Sequence, residues 1–229
     1  MAPESYADKS RWKALPPLLV VLGLAVVRFL GPLFSPDFSR NQDLLTLGVL
    51  TSALALFIIR NRPATFQWSR RADFPKGRFG GVILAGVLVL FLPPALDLLI
   101  ETSALAAHPL FRGAQGRVLE ALPMSSRSFL QQVILVPFLC QAFLTGYLLP
   151  PLAPQMTLGR WLALSAVLFP LTVWKFTLGW AVLGLGSALL FRWTRTWSAP
   201  WVFHMCCAFA GWQITYLHPR VVTFLGFLF

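Results

Sequence analysis

Long apolar runs separated by short polar stretches make up most of this 229-residue chain. Because an α-helix rises 1.5 Å per residue, about 20 apolar residues cross the roughly 30 Å hydrocarbon core of a bilayer. The runs predict seven membrane-spanning helices, near residues 14–34, 43–59, 80–100, 128–151, 160–174, 176–191 and 198–216. Their short connections leave no stretch that would build a separate water-soluble core. We therefore predict an all-α polytopic membrane bundle that forms one domain over residues 1–229.

The fifth and sixth segments need a choice, because residues 160–191 are almost continuously apolar. As one helix this stretch would be about 48 Å long at 1.5 Å per residue, which is too long to cross a bilayer without extreme tilt. Pro170 and the pair Trp174 and Lys175 interrupt it. We predict two short helices joined tightly at Lys175, and one kinked span is the alternative.

Composition and charge agree with a membrane protein and indicate its orientation. Hydrophobic residues make up 57% of the chain and charged residues 12%, whereas soluble domains are about a quarter charged. The net charge is +11, and Lys and Arg concentrate on the cytoplasmic side of membrane proteins. The basic block RNRPATFQWSRRADFPKGR, from Arg60 to Arg78, carries six basic residues and one acid. We predict that it lies in the cytoplasm against anionic lipid headgroups, and no nucleic-acid partner is expected.

This orientation places the N-terminus in the cytoplasm and the C-terminus in the periplasm, across what we expect to be a bacterial inner membrane. The first apolar run is too long for the core of a signal peptide, and the FSPDFSR that follows has no small-x-small cleavage pattern. The longest outer connection, residues 101–127, mixes charged and apolar positions. That pattern predicts either a helix on the membrane surface or a plain loop.

Ionisable residues within the apolar runs are few, and such groups are functional candidates by default. Arg28 and Asp97 lie at similar depths in the first and third runs, so we predict an intramembrane ion pair between them. A catalytic Asp97 is the alternative, but it would lack a second carboxylate to share its work. No Asp or Glu follows Glu120 in the last 109 residues, which excludes carboxylate chemistry in the C-terminal helices. His108 and His218 lie near predicted span ends, where we expect them to be solvated.

The fourth apolar run, VPFLCQAFLTGYLLPPL, carries polar residues in its middle. It resembles the signature helix of the CPBP family of intramembrane proteases, which includes type II CAAX prenyl proteases and bacteriocin-processing proteins. That helix reads as a proline, two residues, a Glu-Glu pair, three residues and then Arg-Gly-Tyr. Pro137, Gly146 and Tyr147 fit this frame. Cys140 and Gln141 stand at the positions of the two glutamates.

Three further positions differ from the family pattern. Thr145 stands where the arginine would be, and Val173 stands at the position of the histidine in the next motif. The last motif, a histidine followed four residues on by Asn or Asp, keeps His204 but has Ala208. The resemblance covers about residues 129–212, which is less than half of the chain.

The replaced groups decide what the resemblance implies for function. In the family, a glutamate and its histidines are thought to activate water for attack on a peptide carbonyl, which needs a proton acceptor. Gln141 keeps the shape of a glutamate without its charge, Thr145 has no charge to stabilise an oxyanion, and Val173 is inert. The resemblance therefore implies a pseudoprotease without a cofactor. Such a protein would be the partner or regulator of an active membrane protease or protein-sorting enzyme.

An active enzyme is the alternative from another class. Cys140 would be its nucleophile and His204 its base, for proteolysis or transpeptidation of a membrane-anchored substrate, since thiolate and imidazole form a competent pair when they meet. The competing interpretation is that Cys140 is a small buried hydrophobe with an unreactive thiol. Gln141 and Thr145, four residues apart on one helix face, would then only hydrogen-bond to a neighbouring helix.

Two other kinds of site are disfavoured. His204 and Cys207 share a helix face and, with Cys140, would supply three metal ligands. No carboxylate or second histidine is available to them, so no metal is predicted. A transporter or channel is disfavoured because no polar path or pair of broken half-helices lines up along the spans.

Overall fold

Eight helices make up the computed structural model over the residues that it describes, which are 4–34, 38–61, 76–108, 126–152 and 156–225. They are α1 (Glu4–Phe34), α2 (Phe38–Asn61), α3 (Lys76–Thr102), α4 (126–148), α5 (Leu158–Val173), α6 (Leu178–Thr194), α7 (Ser198–Tyr216) and α8 (Pro219–Leu225). A 3₁₀ turn, Ala104–Ala107, follows α3. The described part of the chain is all-α, as predicted. Most of the basic block and the larger part of the 101–127 connection lie outside the described residues.

The seven predicted apolar segments coincide with helices α1 to α7. Three stretches are long and apolar enough to cross a membrane by length and composition: Leu15–Pro32 in α1, Gly80–Thr102 in α3 and Leu130–Leu148 in α4. Helices α2, α5 and α6 contain shorter apolar stretches. Each helix satisfies most of its own backbone N–H and C=O groups, which is what apolar surroundings require.

Helix α4 lies at the centre of the bundle. It contacts α2, α5 and α7, and its last turn also contacts α1 and α6. Its apolar stretch is 56% buried, whereas that of α3 is only 17% buried. Phe143, Leu144 and Leu148 of α4 belong to the main hydrophobic core. The polar residues of the fourth apolar run are therefore carried into the middle of the protein.

Helix α4 changes between α-helical and π-helical turns, and each π-helical turn ends two residues before a proline. The π-helical turns are Leu130–Leu135 and Leu144–Leu148, on either side of the α-helical segment Val136–Phe143. Pro137 lacks an N–H, and its ring clashes with the carbonyl four residues before it, so the preceding turn widens. Pro150 follows the second π-helical turn by two residues. The Val136–Phe143 segment is thus a short regular helix between two widened turns.

The stretch 160–191 forms two helices, and the joint lies where it was predicted. Trp174 adopts a left-handed conformation with φ of 57°, and its N–H bonds to the carbonyl of Pro170, which ends α5. The side chain of Thr177 then accepts a hydrogen bond from the N–H of Trp180 and begins α6. The prediction of two short helices joined at Lys175 is confirmed.

Helices α5 and α6 lie in close contact because Gly184 has no side chain where they meet. A Cβ at this position would lie 2.5 Å from the carbonyl oxygen of Ser165 and 3.1 Å from Cβ of Phe169. Only glycine allows this approach of one backbone to another. The contact fixes α6 so that Ser187, one turn beyond Gly184, is buried in the core.

Candidate functional site

A buried polar cluster, formed by Gln141, Ser187 and His204, joins α4, α6 and α7. The side-chain Nε2 of Gln141 donates to Oγ of Ser187 at 2.8 Å and to Nδ1 of His204 at 3.3 Å. None of the three residues is more than 1% exposed. One amide therefore connects α4 to two other helices inside the core. Gln141 thus hydrogen-bonds to neighbouring helices, as the packing interpretation of this residue expects.

The hydrogen bond from Gln141 determines the state of the His204 ring. Because the amide donates, Nδ1 of His204 accepts, so the imidazole is neutral and carries its proton on Nε2. Aromatic rings surround it. Trp180 makes a T-shaped contact at a centroid distance of 5.6 Å, and Phe169 lies at 6.4 Å. In the described part of the chain no carboxylate pairs with His204.

One polar atom of Gln141 makes no hydrogen bond within the cluster. Its side-chain carbonyl oxygen, Oε1, is buried and accepts no hydrogen bond from any described residue. Thr145 does not hydrogen-bond to another helix, which differs from the packing interpretation of this residue. Its hydroxyl donates to the backbone carbonyl of Gln141 at 2.6 Å, within α4 itself. A threonine that bonds four residues back in its own helix has used its donor locally, so it adds nothing to the cluster.

Cys140 is the neighbour of Gln141 in sequence but is not part of the polar cluster. Consecutive residues of a helix with 3.6 residues per turn point about 100° apart, so a helix that aims Gln141 at His204 aims Cys140 elsewhere. Cys140 is buried within the main hydrophobic core. Its thiol makes no hydrogen bond to any described residue. The structure thus does not bring the candidate pair Cys140 and His204 into hydrogen-bonding contact.

The last two positions compared with the CPBP pattern, Val173 and Ala208, hold unreactive aliphatic side chains. Val173 is buried at the C-terminal end of α5, and Ala208 is half-buried one turn beyond His204 on α7. No group of three or more His, Cys, Asp or Glu residues that would hold a metal occurs in the ranges that the structure describes. The polar cluster therefore contains an amide, a hydroxyl and a neutral imidazole, which exchange hydrogen bonds.

The predicted ion pair between Arg28 and Asp97 is wrong, because their helices have different neighbours. Helix α1 mainly contacts α2, α4 and α5, whereas α3 mainly contacts α6, α7 and α8. Arg28 is buried and donates from Nη1 to the carbonyl of Thr172 at 3.4 Å. Asp97 instead accepts a hydrogen bond from Nδ1 of His218 at 2.9 Å, with both side chains about one fifth exposed. His218 is therefore partly buried rather than solvated, while His108 is exposed as expected.

An apolar cavity of about 250 Å³ lies on another side of α4. Helices α2 and α4 form its two walls, and Trp197 adds to the lining. Ala142 and Gly146 line it from α4, whereas Gln141 does not. Because residues four apart share a helix face, the cavity and the polar cluster occupy different faces of the same helix.

No protein-family profile, curated protein or solved structure matches this chain. The function therefore has to be inferred from the geometry of the polar cluster and the cavity.

Ser187 is the member of the polar cluster that the motif comparison did not single out. It lies in the small-residue run GLGSA, residues 184–188. In membrane helices such runs let backbones approach closely and let hydroxyls bond to a neighbouring helix. This run is the sequence signal that marks the face of α6 that meets the core.

Proposed function

We propose that this chain is a CPBP-like pseudoprotease of seven membrane spans that works by binding a partner. The partner is an active membrane protease or protein-sorting enzyme. One observation carries the proposal: the amide of Gln141 donates to Nδ1 of His204 at 3.3 Å. In an enzyme this nitrogen would be the general base, which accepts a proton from a nucleophile or from water. Here a group that cannot accept a proton occupies it.

The membrane placement is supported by the outer surface of the helices. Leu84, Leu88 and Phe91 of α3 are all exposed and lie four and three residues apart, so they form one apolar face. Exposed apolar faces of this kind are rare in soluble monomers and are expected where a helix meets lipid. The six basic residues of Arg60–Arg78 support a cytoplasmic position for the connection between α2 and α3.

The alternative enzyme with Cys140 and His204 draws no support from the geometry. Its nucleophile needs a base within about 3 Å, and the thiol has none among the described residues. Burial in an apolar core also disfavours the thiolate that would attack a carbonyl. The buried Cys140 side chain instead fills space beside α4, in the manner of a small hydrophobe.

Affinity purification from native membranes in a gentle detergent tests the proposal. The expected result is recovery of an active membrane protease or sorting enzyme in a fixed ratio to this chain. Recovery of the chain alone, with turnover of a membrane-anchored substrate that depends on Cys140, would overturn it.

Thiol labelling of the folded protein separates the two functions further. In a Cys206→Ala, Cys207→Ala background, Cys140 is the one remaining cysteine of the chain. We expect it to stay unlabelled by a maleimide until the protein is unfolded in SDS. Rapid labelling of the folded protein near neutral pH would instead favour the enzyme.

A further inference from the structure

The cavity between α2 and α4 has the shape and the chemistry of a slot for a hydrocarbon chain. Its volume is about 250 Å³, and its lining consists mainly of aliphatic and aromatic side chains from the two helices. Gly146 forms part of one wall, and a Cβ placed on it would meet no atom within 4 Å. The absent side chain therefore leaves space that the fold does not use for packing.

An exposed arginine lies close in sequence to the lining of this cavity. Trp197 lines the cavity, and Arg195, two residues before it, is exposed. Arg195 also ends α6 in the left-handed conformation, with φ of 58°, a position that ordinarily favours glycine. An exposed cation thus lies within two residues of the lining residue Trp197.

An apolar slot with a cation beside its lining matches one class of molecule, an amphiphile with a hydrocarbon chain and an anionic headgroup. We propose that this cavity is a binding site for an anionic phospholipid, with one acyl chain between α2 and α4 and its phosphate at Arg195. The acyl chain gains little by leaving the bilayer, because lipid tails are as apolar as the cavity. The headgroup charge therefore carries the selectivity. One arginine near a membrane surface gives about a fivefold preference for an anionic lipid.

This site is independent of the pseudoprotease proposal, because it lies on a different face of α4 from the polar cluster and requires no partner protein. In the orientation proposed above, Arg195 lies at the cytoplasmic face. The phospholipid would then come from the cytoplasmic leaflet.

Native mass spectrometry of the purified protein tests the lipid site. The detergent solution contains equal amounts of phosphatidylglycerol and phosphatidylcholine with the same acyl chains. We expect the wild type to retain one phosphatidylglycerol about fivefold more often than phosphatidylcholine. Arg195→Gln should remove this preference. Gly146→Leu and Ala55→Leu, which fill the cavity from opposite walls, should each remove most of the bound lipid.

Matched control variants distinguish lipid binding in the cavity from non-specific lipid binding elsewhere on the protein. Arg160→Gln removes another exposed arginine, at the start of α5, and Gly23→Leu adds the same side chain at an open position of α1. Both should behave as the wild type. Equal retention of the two lipids by the wild type, no retained lipid, or unchanged occupancy in both cavity-filling variants overturns the proposal. A dimer mass that Gly146→Leu abolishes would assign the cavity to a second copy of the chain and would also overturn it.

Discussion

Gln141 does two things that a glutamate at the same place would not do. It donates to both Ser187 and His204, and it brings no charge into the core. An ionised carboxylate would accept from these partners, and burying it would need a positive partner to offset the loss of hydration. The amide instead ties three helices with neutral hydrogen bonds. The amide of Gln141 therefore has a packing role in this structure.

Replacing Gln141 by leucine should destabilise the protein. Gln141→Leu leaves Nδ1 of His204 and Oγ of Ser187 without the donor that they have now. We expect a loss of about 1–3 kcal/mol in the free energy of unfolding, because buried polar groups that lose a partner bear their full desolvation cost. Unfolding by SDS titration in mixed micelles measures it.

Thr145→Val is the matched control for Gln141→Leu. It also removes a buried polar group from α4, but the hydroxyl of Thr145 bonds only to the backbone of its own helix. We expect its free energy of unfolding to stay close to that of the wild type. Equal losses in the two variants would show that the bonds between helices are not what stabilises this site.

The helices themselves were predictable, but most of their pairings were not. Apolar runs located α1 to α7, and the length of residues 160–191 required a joint that Trp174 and its neighbours provide. The partner of Asp97 depends on which helices are neighbours. The ion pair with Arg28 was predicted from similar depth along the spans, and depth does not determine which helices are neighbours. Asp97 therefore pairs with His218 on the segment after α7, and not with Arg28 on α1.

The close contact of α5 and α6 should not tolerate even one added methyl group. In Gly184→Ala the new Cβ would lie 2.5 Å from the backbone oxygen of Ser165, which cannot rotate away. We expect the two helices to separate and the free energy of unfolding to fall by about 1–3 kcal/mol. Thermal unfolding of the purified protein measures this loss. Gly23→Ala, where the added methyl meets no atom within 4 Å, should show no such loss in the same measurement. A Gly184→Ala protein as stable as the wild type would contradict this packing.

The contact of α3 with α7 can be tested by a disulfide. A Cβ at position 86 would lie 3.5 Å from Cβ of Cys206, within the roughly 3.5–4.5 Å that a disulfide spans. Gly86→Cys should therefore form a cross-link to Cys206 under mild copper-phenanthroline oxidation, seen by mass spectrometry of the peptides. Gly80→Cys, on the same helix with no atom within 4 Å, should form none. Failure of Gly86→Cys to cross-link would place α3 elsewhere.

The whole molecule is arranged around α4, which presents two different faces to its neighbours. One face carries the polar cluster toward α6 and α7, and the other borders the apolar cavity toward α2. The motif comparison pointed to Gln141 and His204, and these residues do meet. It did not distinguish Cys140 from Gln141, although consecutive residues of a helix point about 100° apart, so the helix that aims Gln141 at His204 aims Cys140 elsewhere.

A catalytic role requires the thiol of Cys140 in the living cell, whereas a binding role does not. The comparison uses cells that lack this chain and carry either the wild type or Cys140→Ala at matched membrane levels. Quantitative membrane proteomics then counts unprocessed precursors of membrane-anchored proteins. We predict that precursors accumulate without the chain and that Cys140→Ala restores processing as fully as the wild type. Accumulation in Cys140→Ala cells to the level of cells without the chain would contradict the pseudoprotease role.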